Sequence, residues 1–191
     1  MIKVGLDIGS SKISCIVCDI KDVKKPKVLS FISIPTNNIY KNNFTNFKLI
    51  KNEVKEVLDL AEKESQTEIK SINLNIPLSE PNSFFYNSEI PIENESINDL
   101  HIKKALNDSD FFLESLNYEN LMNFITSYEI DNKLLLGNPI GTFAKKLNLN
   151  FYKLSIDKNI INTYRHLFNE LKIHIANMIP KPLSSGLATL S

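Results

Sequence analysis

Gly5-Leu6-Asp7-Ile8-Gly9-Ser10-Ser11-Lys12 is the one stretch whose residue types and spacing could do chemistry. A bound phosphate asks for backbone N–H donors turned inward, hydroxyls, and a cation close by. A tight Gly9-Ser10-Ser11 hairpin can present successive N–H groups as an anion nest, and Lys12 adds a charge. Asp7, at the end of the strand leading in, is the residue type that holds Mg²⁺ through its retained waters. That hard ion favours carboxylates and dehydrates reluctantly. An ordinary hairpin, in which Asp7 accepts local backbone hydrogen bonds, uses the same residues. Neither a Walker A ending nor a G-x-G-x-x-G run is present.

The other candidate groups point to structure rather than chemistry. Cys15 and Cys18 read as C-x-x-C, but they lie in the strand-like run Ile13-Ser14-Cys15-Ile16-Val17-Cys18. Positions three apart on a strand face opposite ways, so the two thiols cannot grip one metal. No second Cys pair completes a zinc site. Both are expected as small buried hydrophobes in a reducing cytoplasm. His101, His166 and His174 are scattered, and no shared metal is expected. No G-x-S-x-G or H-E-x-x-H occurs, so no catalytic residue is assigned. The acidic run Glu89 to Asp99 predicts a solvated loop and a helix N-terminus. Phe84, Phe85, Tyr86, Phe111 and Phe112 are expected in a core, with a protein-binding surface as the second reading.

These residues need elements to hold them. Val4, Leu6 and Ile8 alternate with Lys3, Gly5 and Asp7, which predicts a strand. Residues 12–20 are apolar on both faces and predict a central strand, and residues 27–34 predict a third. After a polar loop over 36–46, Thr45 is a plausible N-cap for a helix to about Ser65. Phe47, Ile50, Val54, Val57, Leu58 and Ala61 recur there at spacings of three and four. Ile72, Leu74 and Ile76 predict a fourth strand, ended by Pro77. This order is an α/β half-unit. Past Pro77 the text changes. Pro81 and Pro91 punctuate short strands, a helix fits Ile97 to Asn107, and strands fit Leu121 to Ile130 and Leu147 to Ile156. Periodicity returns with a helix near 159–171, a strand over 172–178, and Leu183 to Leu190. The expected division is 1–78 plus 155–191 around an inserted α+β subdomain over 79–154.

Composition narrows the function. The chain has 191 residues, 42% of them hydrophobic, with 22 basic and 22 acidic side chains. That excludes a disordered tail. Of the basic residues only Arg165 is Arg, so the forked donors that clamp nucleic-acid phosphates are nearly absent and no nucleic-acid partner is expected. The 24 Asn and 25 Ile residues fit an AT-rich coding bias. No stretch approaches the ~20 apolar residues of a membrane span, and no secretory signal is expected at the N-terminus.

Three segments resemble one family. Val4 to Ile13 resembles the first phosphate loop of the actin, Hsp70 and sugar-kinase superfamily, and Lys12 directly after Ser10-Ser11 resembles its FtsA branch, the actin-like bacterial cell-division proteins. Tyr128-Glu129-Ile130-Asp131 followed by Asn138-Pro139-Ile140-Gly141 resembles that family's inserted subdomain, where a Y-x-[IL]-D strand precedes an N-P-[IV]-G loop. Pro182 to Leu190 resembles the segment entering its connecting helix.

The resemblance implies an actin-like (ribonuclease-H-like) lobe with a mixed sheet. It implies ATP and Mg²⁺ as ligands, with nucleotide contacts on Asp7, Gly9, Ser10, Ser11 and Lys12 and the metal facing Asp7 through water. It implies an adaptor, at most a weak ATPase in its full-length form, on the cytoplasmic face of the inner membrane at the division site. FtsZ and later division proteins would be its partners. Phe84, Phe85, Tyr86, Asn138, Pro139 and Gly141 are the implied contact candidates in the insertion, which would also self-associate. The chain is expected to be an N-terminal portion of such a protein. A type IV pilus assembly protein of related fold and one lobe of a sugar or acetate kinase are the alternatives.

Overall fold

The computed structural model describes residues 1–22, 25–40, 43–77, 82–108, 113, 116–135 and 137–190. In chain order the elements are β1 (Ile2–Ile8), β2 (Lys12–Asp19), β3 (Lys27–Pro35), β4 (Ile39–Tyr40), β5 (Asn43–Phe44), α1 (Phe47–Ser65) and β6 (Ser71–Ile76). Then come β7 (Asn82–Ser96), α2 (Asp99–Asn107), β8 (Tyr118–Ile130), β9 (Lys133–Leu135), β10 (Phe143–Asp157), α3 (Lys158–Leu171), β11 (His174–Pro180) and α4 (Lys181–Leu190). The chain divides into two compact units, Met1–Ser79 with Asn159–Ser191, and Glu80–Lys158.

The first unit is built on a five-stranded sheet in the order β11-β6-β1-β2-β3. β1, β6 and β11 run parallel, while β2 and β3 join as antiparallel neighbours. This is the mixed α/β sheet expected from the sequence. Alternation decides the faces. Leu6, Ile8, Ile13, Cys15, Val17, Ile72 and Leu74 are buried, and α1 packs over β2 and β3 with Ile50, Val54, Val57, Leu58 and Ala61 turned inward. Each fully buried aliphatic side chain contributes about 1.5–3 kcal/mol. α3 buries Ile161, Tyr164, Leu167 and Phe168. It runs beside α1, where Lys51 pairs with Glu170 at 2.7 Å and the His166 ring stacks on Phe47 at 4.9 Å. The cap of α1 is Asn46 rather than Thr45: its Oδ1 accepts the Leu49 N–H at 3.1 Å, the usual cap-to-third-residue bond.

The second unit is a four-stranded antiparallel sheet in the order β7-β10-β8-β9. Its core joins Ile90, Ile92, Ile97, Ala105, Leu147, Leu149 and Phe151, with Ala105 coming from α2. The sequence suggested short runs broken by prolines and a solvated acidic loop, yet β7 is one strand of 15 residues that includes Glu89, Glu93 and Glu95. Pro91 is tolerated because, among the described residues, β7 pairs with β10 alone, and an edge strand has a side with no ladder bond to lose. The register also shifts opposite it, between Ala144 and Lys146. Exposed glutamates on an edge discourage pairing with another chain. Return to the first unit comes after Lys158 rather than Leu154, since β10 continues to Asp157. The junction expected at 78/79, and Phe111 and Phe112, lie outside the described residues.

Candidate functional site

Between β1 and β2 the chain turns through Gly9, Ser10 and Ser11. The Gly9 N–H donates to the Lys12 carbonyl at 2.9 Å, and the Ser11 carbonyl accepts the Thr36 N–H at 3.0 Å. The turn is tight enough that a Cβ on Gly9 would stand 3.1 Å from the Lys12 carbonyl oxygen. Ser10, Ser11 and Lys12 are exposed. Among the described residues their side chains have no hydrogen-bond or ion-pair partner.

The parallel strands bring a distant residue to this turn. Asp7, Asn75 and Ile179 lie at one level across β1, β6 and β11. β11 ends at Pro180, α4 opens on Lys181, and the Lys181 Nζ donates to Asp7 Oδ2 at 2.8 Å. The same ammonium lies 3.5 Å from where a Gly9 Cβ would be. With side chains 22% and 40% exposed, the pair stabilises the fold by about 1 kcal/mol or less. The other oxygen, Asp7 Oδ1, is enclosed and without a hydrogen-bond partner, as is the Tyr164 hydroxyl. Burial first, and then the negative charge of Asp7, hold the Tyr164 phenol well above its ordinary pKa.

The sheet face that α1 does not cover carries two rows across the strands. Ser33, Ser14, Asp7 and Asn75 form the row nearer the turn; Phe31, Ile16, Gly5 and Asn73 form the next. All of these but Ser33 border a cavity of about 410 Å³, which Lys12 also lines. A Cβ on Gly5 would meet Ile16 Cγ2 at 3.1 Å, so this glycine keeps the floor low. Asn177 Nδ2 donates to Asn73 Oδ1 at 2.8 Å, and Asn73 Nδ2 donates to the Val4 carbonyl at 3.1 Å, which fixes the side chain. The cavity is thus polar and cationic at the turn and apolar toward Phe31.

A phosphate-bearing ligand would fit the residue types gathered at the turn: two exposed hydroxyls, the turn backbone, the Lys12 ammonium that lines the cavity and the Lys181 ammonium held at Asp7. A Mg²⁺ ion at Asp7 does not fit. One carboxylate oxygen is enclosed and the other is held by Lys181. An ammonium ~4 Å from a divalent ion repels it by roughly 2–8 kcal/mol, from water-like to surface-like screening. Among the described residues no three His, Cys, Asp or Glu side chains cluster as a metal site.

The contact candidates of the second unit are divided. Phe84 and Tyr86 are half-buried, and Tyr86 stacks on Phe151 at 5.7 Å. Phe85 points to the opposite face, 55% exposed, and meets Tyr152 at 5.2 Å, so it is not the core residue expected. Pro139 is buried. Asn138 Oδ1 accepts the Ile140 N–H at 3.1 Å, and the Gly141 N–H donates to the Ile97 carbonyl at 2.9 Å. Gly141 has φ +90°, a left-handed conformation that favours glycine. The loop therefore folds back on the start of α2. His101 caps that helix with Asn98. Cys15 is buried and Cys18 half-buried, both as free thiols.

No family model matches the chain. Cell division protein FtsA of Buchnera aphidicola subsp. Acyrthosiphon pisum (strain APS) is 22% identical over 189 residues, 98% of this chain and 45% of that protein. FtsA of Neisseria meningitidis serogroup B (strain ATCC BAA-335 / MC58) is 19% identical over 186 residues, 97% of this chain and 45% of that protein. The chain thus spans about half the length of the curated relatives it matches. Among solved structures, a PilM-PilN type IV pilus biogenesis complex matches with a TM-score of 0.61 and 11% identity, over 97% of this chain and 49% of that one. The fold is actin-like. The chain is FtsA-like in sequence, at an identity that leaves its own role to be argued from the site.

Sequence reasoning missed Lys181 as a neighbour of Asp7. Its placement follows only from the strand order, because β6 and β11 align the ends of three parallel strands. The usable signal was a Lys at the junction of a strand and the helix after it, the position where open α/β sheets meet their ligands.

Proposed function

We propose that this chain is the phosphate-binding first lobe of an FtsA-like, actin-fold protein of the cell-division machinery. In its full form that protein would bind ATP, tie FtsZ filaments to the cytoplasmic face of the inner membrane, and gather later division proteins. The observation that carries this reading is the Gly9–Lys12 turn at the ends of three parallel strands, beside a cavity with a cationic end. The turn would hold the β- and γ-phosphates, with Ser10, Ser11 and Lys12 as donors. The residues here supply one side of a two-lobed cleft, so the isolated chain would hold ATP weakly, with Kd on the order of millimolar or ~4 kcal/mol. The second unit would supply contacts to later partners or to another copy, through Phe85 and the rim of the 138–141 loop. Among the described residues, no helix is long and apolar enough to cross a membrane.

A second reading, an actin-like protein of type IV pilus assembly, is favoured by the likeness to the PilM-PilN complex. A fluorescent fusion of the chain at its native locus separates the two. Accumulation at midcell ahead of constriction supports the division role; a polar focus that follows the pili overturns it.

A further inference from the structure

We infer that the turn takes a polyphosphate group without a divalent cation, with the Lys181 ammonium standing where the ion would act. This rests on the phosphate-loop reading and adds to it the charge state of the ligand. The Lys181 Nζ is 2.8 Å from Asp7 Oδ2 and beside Gly9. An ammonium has three donors and no acceptor. Asp7 uses one, leaving two for the oxygens of an anion seated on Gly9-Ser10-Ser11. The pairing also removes the repulsion that a bare carboxylate would exert on a phosphate. The other oxygen, Oδ1, is enclosed, so neither oxygen of Asp7 stands open to an incoming ion. Asp7 is then a positioning residue that holds Lys181 against the turn, and Lys12 supplies the second cation from the exposed side. Charge-assisted N–H···O bonds to phosphate are among the stronger hydrogen bonds a protein makes, so losing Lys181 should be felt.

The test uses the whole ¹⁵N-labelled chain, with sodium tripolyphosphate and then ATP as probes, read by amide shifts in EDTA or in excess Mg²⁺. The wild type should show saturable shifts at Gly9, Ser10 and Ser11 in EDTA, no tightening with Mg²⁺, and no response near Asp7 to Mg²⁺ alone. K181Q should weaken binding in EDTA by about tenfold and recover part of it with Mg²⁺, once the carboxylate is free. K181R should keep metal-free binding. Wild-type binding that tightens about tenfold or more with Mg²⁺ overturns this inference and leaves the phosphate loop standing. Absence of shifts at the turn in every arm overturns the phosphate loop, and the inference with it.

Discussion

The open sheet face of the first unit carries Ser33, Ser14, Asp7 and Asn75 in one row, whereas the open face of the second carries Phe85, Tyr152 and Phe124. Both sheets bury one face with the same period-two alternation. They differ in strand direction: β1, β6 and β11 of the first sheet run parallel, whereas the second is antiparallel throughout. Parallel strands all end on the same side, so their following loops gather there, and charged groups far apart in sequence converge on one spot. In the antiparallel sheet the ends alternate, and its polar set, Asn87, Asn150, Ser127 and Glu129, sits mid-strand and is hydrogen-bonded within itself rather than gathered at the strand ends. What its outer face offers instead is an aromatic row, with the Asn87–Asn150 bond at 2.7 Å beside it. On the reading proposed above, the first face would take a small ligand and the second would make macromolecular contacts.

That contrast can be broken or sharpened by substitution. The largest effect expected is at Phe151, which is fully buried in the second unit. Phe151→Ala should cost about 3–5 kcal/mol in urea unfolding, and a change below about 1 kcal/mol would show that this sheet has no real inner face. Gly9→Ala should cost about 1–3 kcal/mol, because the added carbon meets backbone at 3.1 Å. It should also distort the turn, so its amides should lose their response to tripolyphosphate. A variant that binds like the wild type would remove the turn from the site.

A pH series addresses the covered face of the first sheet. Burial pushes the Cys15 thiol up to about 12. The folded-state pKa is raised, so the unfolded chain releases this proton first. The stabilisation is complete at neutral pH and is lost as pH climbs from about 9 toward 12. The fall in unfolding free energy over that window should be smaller in Cys15→Ala. Equal falls in both proteins would mean that Cys15 is not sealed under α1. Smallest of all, Phe85→Ser should change stability by no more than about 0.5 kcal/mol, as an exposed position does. Sedimentation of that variant should also show weakened self-association; an unchanged association constant would take Phe85 out of the contact surface.

Much of this was legible in the sequence, and the illegible parts share a cause. Val4, Leu6 and Ile8 announce their strand, and Ile50, Val54, Val57 and Ala61 their helix, because local periodicity reports burial directly. The Gly9–Lys12 turn was visible as a cluster of residue types. Lys181 was not, since 174 positions separate it from Asp7 and only the strand order joins them. Asn73 and Asn177 were hidden by the abundance of Asn, although Asn177 holds the Asn73 side chain that lines the cavity. Pro91 misled because a proline reads as a breaker unless one knows that its strand lies at an edge. Asn46 lost to Thr45 on a one-residue ambiguity between two good caps.

The most direct measurement is an amide shift map of the intact chain titrated with ATP. The account predicts that the largest shifts fall on Gly9, Ser10, Ser11 and Lys12, extend to Lys181, and leave Phe85, Phe124 and Tyr152 unmoved. Shifts centred on the aromatic row, or none at the turn at millimolar nucleotide, would contradict it.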